Sequence, residues 1–319
     1  MPALTRRYRC LLVLLAAALA SAAPEGRFTI AVIPDTQQEV LRADDTRFGD
    51  RLRWLVQQRE ALGLKMVLQT GDMMNWDTPD HVQFERASAG VRVLDEAGVP
   101  FAFALGNHDT AATTVGGSAA PGNVHDNQRT TTTYNRYFPL ARFTALGGVF
   151  EPGKLDNSWH AFRAAGLDWL VLSVELWPRA AAVAWAREVA DAHPRHNVIV
   201  ITHSYLTSDG RIEPRNGGYG DLSPQYLFDH LVNVCPNVRL VFSGHAGSHG
   251  YRAERTQAGQ TVHAFLTTYH DNQSNPVRLV AIDPAADALR TWVHCPSLGQ
   301  DKADGSARTI TGMDWIKPE

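Results

Sequence analysis

The chain has 319 residues, of which 44% are hydrophobic and 20% charged, and its formal net charge is −3. This length and apolar content are sufficient for a large buried core, which we expect to be one catalytic domain with insertions. The sequence contains no basic stripe, and this argues against a nucleic-acid-binding surface.

The N-terminus has the pattern of a secretory signal peptide. Residues 1–10 carry three arginines, and residues 11–23 are apolar except for Ser21. The apolar run is shorter than the roughly 20 residues that a transmembrane helix needs, and it ends in small residues that suit cleavage. We therefore predict a signal peptide over residues 1–23, no stable membrane anchor, and a secreted or periplasmic protein.

Two cysteines, Cys235 and Cys295, follow the predicted signal peptide. An even number of cysteines in an oxidising compartment is compatible with a single disulfide. It is equally compatible with two unpaired buried thiols, because the sequence does not give the distance between their Cα atoms.

Apolar, β-branched runs alternate with helical patterns in the first part of the chain. We predict strands over residues 28–33, 65–69 and 101–105, a helix over residues 48–62, and a second helix from Pro79, with Thr78 as its N-cap, to its end at Gly98. Two successive strand-helix-strand units predict a parallel sheet with right-handed crossovers.

The second half of the chain repeats this alternation and then changes to strands alone. The predicted elements are a hairpin over 158–175, a helix over 179–191, a strand over 197–201, a helix over 223–234, a strand over 238–242, and an antiparallel meander of runs 261–268, 277–282 and 288–294. The aperiodic segments 110–133 and 204–222 are long enough to predict substrate-binding loops. We place one domain over residues 24–300 and expect residues 301–319 to form a loosely ordered tail.

Metal-binding side chains follow five of the predicted strands. These side chains are Asp35, Asp72, Asn107 with His108, His203, and His245. One such residue alone would be an ordinary polar turn, but five at the carboxyl edge of a sheet would be costly to desolvate without a cation. Carboxylate, imidazole and amide donors without thiolates suit divalent ions such as Zn, Fe or Mn.

The same residues indicate a reaction. Asp72 can bridge two ions, and a pair of ions sharing one carboxylate is an arrangement used for in-line attack on phosphorus by a metal-bound hydroxide. His108 follows Asn107 in a tight turn that makes binding to the same ion difficult. We therefore predict that His108 donates a proton or hydrogen bond to the leaving oxygen.

In their order along the chain, these blocks resemble the signature of the calcineurin-like metallophosphoesterases, which reads Asp-x-His, Gly-Asp, Gly-Asn-His-Asp/Glu, a lone His, and Gly-His-x-His. The match runs from about Ile33 to Ser248. The resemblance implies an α/β fold, a four-layer α/β/β/α sandwich of two mixed β-sheets flanked by helices. It also implies how the site residues are shared, with Asp35 and Asp72 on the first metal, Asp72 bridging, Asn107, His203 and His245 on the second metal, and His108 assisting the leaving group.

The chain departs from that signature at two positions. Gln37 stands where the family has the first histidine, and Gly247 stands where it has the last. A subset of secreted bacterial relatives is similar in carrying an Asp-Thr-Gln block, so we retain Gln37 as a ligand. His249 is a candidate substitute for the last histidine, with an ordinary surface histidine as the alternative. Asn75 and Asp109 are further candidates for supporting positions.

Both departures affect the first of two predicted divalent ions. Gln37 offers a neutral amide oxygen in place of an imidazole, and Gly247 offers no side chain. We therefore expect the first ion to bind more weakly than the second and to favour harder ions such as Mn or Mg over Zn.

The predicted function is a secreted, metal-dependent phosphoesterase acting on phosphomonoesters or phosphodiesters, with a small-molecule or protein phosphoester as substrate. One alternative is a secreted binding module with a degenerate, mononuclear site. Another is a serine hydrolase that uses Ser248, because Ala246-Gly-Ser-His-Gly250 approximates a nucleophile elbow. Neither the substrate nor the oligomeric state follows from the sequence.

Overall fold

The computed structural model describes residues 26–218, 220–270 and 272–318. The predicted signal peptide lies outside these residues. None of the helices among the described residues is both long enough and apolar enough to span a membrane.

The elements are numbered along the chain. The strands are β1 (Phe28–Ile33), β2 (Leu64–Gln69), β3 (Phe101–Phe103), β4 (Leu146–Val149), β5 (Ser158–Ala164), β6 (Leu167–Ser173), β7 (Asn197–Ile201), β8 (Val238–Ser243), β9 (His249–Arg255), β10 (Thr261–Thr267), β11 (Val277–Asp283), β12 (Ala288–Cys295), β13 (Gln300–Asp301) and β14 (Arg308–Thr311). The helices are α1 (Arg47–Gln57), α2 (Arg59–Leu62), α3 (Val82–Glu96), α4 (Val124–Gln128), α5 (Thr132–Tyr137), α6 (Ala180–Ala192) and α7 (Pro224–Leu227), which continues as one π-helical turn over Phe228–Val232.

The strands form two sheets of seven strands each. In the first sheet β1, β2 and β3 are parallel neighbours, and β1 pairs on its other side with antiparallel β11, followed by β12. The second sheet has the order β4-β5-β6-β7-β8-β10-β9, and β6, β7, β8 and β10 are parallel. Both sheets are mixed, as predicted.

The alternation of side chains along β1 shows how the sheets form layers. Ile30 and Val32 face the second sheet and pack in the same cluster as Val171 and Ile199. Ala31 and Ile33 point the other way and pack under α1 and α3. Helices α6 and α7 cover the outer face of the second sheet in the same manner. The arrangement is therefore helix, sheet, sheet, helix, which confirms the predicted four-layer sandwich.

The predicted C-terminal meander is wrong. Strand β10 does not pair with β11, because β10 lies between β8 and β9 in the second sheet, whereas β11 and β12 belong to the first. The chain therefore crosses from one sheet to the other between residues 268 and 276. This crossover segment brings an additional histidine, His270, to the site described below.

The C-terminal segment is also more ordered than predicted. Strand β14 pairs with β12 from Arg308 to Thr311. Beyond it, the side chains of Met313 and Trp315 are buried in the core between the sheets, where Trp315 packs edge-on against Trp169. The prediction of a loosely ordered tail over residues 301–319 is therefore wrong for the described residues 301–318.

Two alternatives left open by the sequence are also settled by the fold. Cys235 and Cys295 are both buried and both free. The chain after Ser248 continues as strand β9, whereas a nucleophile elbow requires a helix at this point. The structure therefore gives no support to a serine nucleophile at position 248.

Candidate metal centre

The predicted ligands come from the carboxyl ends of strands in both sheets. Asp35, Asp72 and Asn107 follow β1, β2 and β3 of the first sheet, whereas His203 and His245 follow β7 and β8 of the second. Carboxyl ends of parallel strands carry the loops in which ligands bind in α/β folds. In this chain the centre lies where the carboxyl edges of two facing sheets meet.

Asp72, His203 and His245 form one compact cluster, with one donor atom from each residue lying within 4.8 Å of the others. His203 Nε2 lies 3.0 Å from Asp72 Oδ2 and 3.1 Å from His245 Nδ1. His203 Nδ1 lies 2.9 Å from the carbonyl oxygen of Thr70. A carbonyl only accepts hydrogen bonds, so Nδ1 carries the proton and Nε2 has a lone pair available for a metal, the orientation found in metal-binding histidines.

The charges of this cluster show what a cation would replace. Burial by itself lowers the pKa of His203, but the Asp72 carboxylate reverses this effect and raises the pKa to about 9. Burial, together with the charge on His203, lowers the pKa of His245 to about 4. A proton on His203 thus supplies the positive charge that the buried Asp72 requires, and a divalent ion can take over this role.

Asp35 belongs to a second cluster with Asp72 and His270, whose donor atoms also lie within 4.8 Å of one another. His270 Nε2 is 3.1 Å from Asp35 Oδ2, and the backbone amide of His245 donates to the same oxygen at 3.1 Å. Burial raises the pKa of Asp35, and the hydrogen bond to Asp35 raises the pKa of His270. Asp72 is common to both clusters, which is the arrangement expected of a bridging carboxylate.

His270 was not among the predicted site residues. It was missed because residues 261–268 and 277–282 were interpreted as neighbouring strands of one meander, in which the connection between them has no special position. In the structure β10 is parallel to β8, so the residues after β10 emerge at the same edge as His245. The sequence signal that could have identified His270 is the same one that identified His203 and His245, namely a histidine soon after an apolar run.

Asn107 and Gln37 provide a test of whether the site suits a metal. Both side chains are buried, yet Asn107 Oδ1 and Gln37 Oε1 have no hydrogen-bond partner among the described residues. Leaving a buried polar atom unsatisfied costs roughly 1–3 kcal/mol, so such atoms call for an explanation. Gln37 lies two residues after Asp35, and Asn107 follows Gly106, which packs against Asp72. Amide oxygens at these positions suit a divalent ion, which would satisfy them.

The backbone is packed closely around the clusters. A Cβ atom at Gly106 would overlap Asp72 Oδ1, and one at Gly244 would overlap Asp35 Oδ1. Asp72 and His245 themselves adopt left-handed backbone angles, with φ values of 53° and 80°. Non-glycine residues adopt such angles at a cost and mostly where the surrounding structure enforces them, often at functional sites.

His108 lies beside the clusters without belonging to either. Its backbone amide donates to Asp72 Oδ1 at 3.0 Å, and its ring Nδ1 lies 2.5 Å from the carbonyl oxygen of Asn75. This carbonyl fixes the proton on Nδ1, so Nε2 is the ring atom left for a substrate. Asn75 therefore acts on His108 through its main chain, and its own amide is held by Gln83 Oε1 at 2.8 Å.

The carboxylate of Asp109 is hydrogen-bonded to the backbone of the loops around the site. Its Oδ1 accepts the backbone amides of Met73 and Met74, and its Oδ2 accepts the amide of Gly106. Burial raises the pKa of this carboxyl to about 7, with Asp72 adding to the effect and the amide donors opposing it. Asp109 thus connects the loop that carries Asp72 with the loop that carries Asn107.

His249, the predicted substitute for the missing histidine, belongs to neither cluster. It is the first residue of β9, opposite Thr267 of β10, and its ring lies beside that of Tyr269 at 6.2 Å between centroids. The imidazole beside Asp35 comes instead from the residue after Tyr269.

The two predicted substrate loops approach the centre from different sides. In the first loop Gly117 lies near both Asn75 and His108. Residues of the second loop, including Thr207 and Arg215, line a groove of about 700 Å³ beside His245, and Trp177 also lines this groove. Arg129 joins the two sides by donating to the carbonyl oxygen of Trp177 and to Asp221 at 2.7 Å each.

Comparison with known proteins places these features in context. Residues 28–248 match the family model described as calcineurin-like phosphoesterase. Over 261 residues the chain is 24% identical to YvnB, an uncharacterised protein of Bacillus subtilis, and the alignment covers 78% of this chain and 18% of YvnB. The chain therefore spans less than a fifth of the length of that relative.

Among solved structures, a dimetal phosphatase from Danio rerio has a similar fold. The TM-score is 0.54 at 14% sequence identity, and the superposition covers 89% of this chain and 98% of the other. At this level of identity the likeness supports the fold, in agreement with the layers and sheets described above.

Proposed function

Because the chain belongs to the calcineurin-like phosphoesterase family, we propose that it is a secreted phosphoesterase that hydrolyses phosphomonoesters or phosphodiesters with the help of two divalent ions. One observation carries the proposal, namely that two clusters of metal-binding side chains share Asp72. A binding module with a single structural ion would need only one such cluster and no residue like His108.

The residues divide between the two ions as follows. Asp35, Gln37 and Asp72 would hold the first ion, and Asp72, Asn107, His203 and His245 would hold the second. When bound, the ions would supply positive charge for the phosphate oxygens and lower the pKa of water. Mn, Fe and Zn all suit this set of nitrogen and oxygen donors.

The protein contributes a proton donor. With Nδ1 of His108 engaged by the carbonyl of Asn75, a doubly protonated ring can donate from Nε2 to the leaving oxygen. Such a proton transfer typically accelerates a reaction by about 10²–10⁴-fold. The benefit should be greatest for substrates whose leaving oxygen is strongly basic.

We propose that the group esterified to phosphate lies in the groove beside His245. The groove is lined by loop residues of both polar and apolar character, including Leu206, Arg215 and Asn216. It is open at the surface, so small-molecule and protein phosphoesters remain equally suitable.

A screen of aryl phosphate monoesters and diesters tests this proposal. We expect turnover with added Mn²⁺, Zn²⁺ or Fe²⁺, its loss on chelation, and no change in Ser248→Ala. No metal-dependent turnover of any phosphoester would support the binding module instead. Turnover that survives chelation and disappears in Ser248→Ala would support the serine hydrolase.

Secretion is proposed from the N-terminal pattern alone. Expression of the full chain in a bacterial host, followed by mass spectrometry of the periplasmic and medium fractions, should detect a mature N-terminus near residue 24. A full-length chain that stays in the cytoplasm would contradict this part of the proposal.

A further inference from the structure

We propose that His270 is the imidazole ligand of the first metal ion and replaces the histidine that the chain lacks at position 247. The proposal rests on the dinuclear centre of the proposed function and adds a ligand from outside residues 28–248, the part that matches the family model.

The geometry around Asp35 supports this assignment. One donor atom each of Asp35, Asp72 and His270 lie within 4.8 Å of one another, and His270 Nε2 is 3.1 Å from Asp35 Oδ2. Two carboxylates and an imidazole that converge so closely are a common donor set for Mn, Fe or Zn. Gln37, two residues after Asp35 in the chain, has a buried amide oxygen without a hydrogen-bond partner among the described atoms.

Gly247 is not simply a position from which a histidine has been deleted. Its backbone has a φ of +75°, which side-chain-bearing residues rarely adopt. A Cβ atom at this position would lie 2.7 Å from Cβ of Ser208. A histidine at 247 would thus require both a strained backbone and displacement of Ser208, so the loop after β8 is not shaped to supply this ligand.

The end of β10 is the nearest equivalent to the end of β8. The two strands are parallel neighbours, with Leu266 opposite Ser243, and adjacent strands lie about 4.8 Å apart. Thr268 then ties the end of β10 to the loop around Gly247, because its amide donates to the Ser248 carbonyl at 2.9 Å and its hydroxyl to the Ala246 carbonyl at 3.1 Å. The next residues therefore emerge beside the position where the family has its last histidine.

Described residues before and after His270 are hydrogen-bonded to other parts of the fold. Tyr269 donates from its hydroxyl to Asp304 at 2.7 Å. Further along, Asn275 donates to the backbone carbonyl of Arg47 in α1, and the buried Arg51 of the same helix donates to the Asn275 carbonyl. Tyr269 and His270 themselves adopt left-handed backbone conformations, with φ values of 67° and 41°, which non-glycine residues adopt mostly where the surrounding structure enforces them. A ligand in a rigid surrounding loses little entropy on binding.

The simpler alternative is that His270 forms only an ion pair with Asp35 at the rim of the site. In that case the 39% exposed imidazole pairs with the buried Asp35 carboxylate and contributes nothing to metal binding. The two interpretations therefore differ in what His270→Ala does to the affinity for metal.

The test is a titration of the full-length, metal-free protein with Mn²⁺, followed by calorimetry and by the electron paramagnetic resonance signal of coupled Mn²⁺ pairs. We expect the wild type to bind two ions and to give the coupled signal. His270→Ala should raise the dissociation constant of the weaker ion by about 100-fold or more, since even the outer partners of ligands change affinity by about 10–100-fold. The affinity of the tighter ion should be unchanged.

His249→Ala is the matched control, because it removes a neighbouring histidine that also lies beside Tyr269. It should bind two ions as the wild type does. His270→Asp should recover part of the affinity lost in His270→Ala, because a carboxylate can also bind the ion.

Wild-type affinity for both ions in His270→Ala, or a loss in His249→Ala equal to that in His270→Ala, would overturn the proposal. These outcomes are distinct from failure of the proposed function. A wild type that binds two ions and loses one in His270→Ala, yet hydrolyses no phosphoester, would retain the ligand and refute the reaction.

Discussion

The two clusters that share Asp72 differ in how the fold builds them. In the cluster with His203 and His245, both imidazoles closely follow strands of the second sheet, and the His203 side chain is fully buried. In the cluster with Asp35, the imidazole comes from the crossover segment, and the His270 side chain is 39% exposed. Burial strengthens electrostatic interactions and excludes competing water. The comparison therefore predicts two ions of unequal affinity, the tighter one beside His203.

The substitution with the largest expected effect is Asp72→Asn, which removes the candidate ligand that the two clusters share. Both ions should be lost, and turnover should fall by at least about four orders of magnitude, because each ion contributes several kcal/mol to the transition state. Metal content per chain and phosphoester turnover measure this. Asp35→Asn is the control and should lose only the weaker ion. Retention of both ions in Asp72→Asn would refute the bridging role.

The next largest effect is expected for His108→Ala, which tests a residue outside both clusters. We expect kcat to fall by about two to four orders of magnitude while the metal content stays at the wild-type level. Aryl phosphates with good leaving groups should be least affected, since they need little protonation. A parallel loss of metal would show instead that His108 is a ligand.

A buried histidine away from the centre offers a contrast to His203. His160 is fully buried in the second sheet, where burial lowers its pKa to about 3. Because this pKa is depressed, its stabilising contribution is complete above about pH 6.5 and decreases as the unfolded chain takes up a proton below that pH. Between pH 7 and pH 5 the metal-free wild type should lose about 2 kcal/mol more unfolding free energy than His160→Phe.

Urea unfolding of both proteins at the two pH values provides the measurement. The carboxylates contribute equally to both proteins, so the difference between them isolates the histidine. An equal loss of stability in the wild type and in His160→Phe would show that position 160 does not hold a neutral imidazole.

The smallest expected effect is that of Gln37→His, which replaces the amide oxygen at the weaker site with an imidazole nitrogen. The dissociation constant of the weaker ion should fall by about tenfold, a change of roughly 1.4 kcal/mol. The preference should also move from Mn²⁺ toward Zn²⁺. Gln37→Ala should change the affinity in the opposite direction. If neither variant alters metal binding, the unpartnered amide oxygen of Gln37 has another role.

The sequence was informative where a candidate ligand closely follows a buried strand. Asp35, Asp72, His203 and His245 were identified in this way, because an apolar run and a polar residue after it are both local signals. The family match and the layered sheets confirm the family and the fold, whereas the roles of the individual residues remain predictions. Asp109 shows that residue type alone does not predict the role of a side chain, since its carboxylate accepts hydrogen bonds from three backbone amides.

Partners distant in the chain could not be predicted. The alternation in residues 261–268 suits a strand in either sheet, and only the structure shows that β10 lies beside β8. Met313 and Trp315 were missed for a similar reason. They are isolated apolar residues in a polar segment, and their burial depends on a space between the sheets that no local pattern reveals.

The pairing of β1 with β11 has a consequence for synthesis of the protein. Phe28 of β1 pairs with Ile282 of β11, so β1 is translated well before this neighbour. Until then β1 has an unpaired edge, which is a site for wrong association. Because β10 and His270 also emerge late, a nascent chain that stops after residue 248 contains most of the candidate ligands but neither the completed first sheet nor His270. Metal loading is therefore expected to follow translation of β10, His270 and β11.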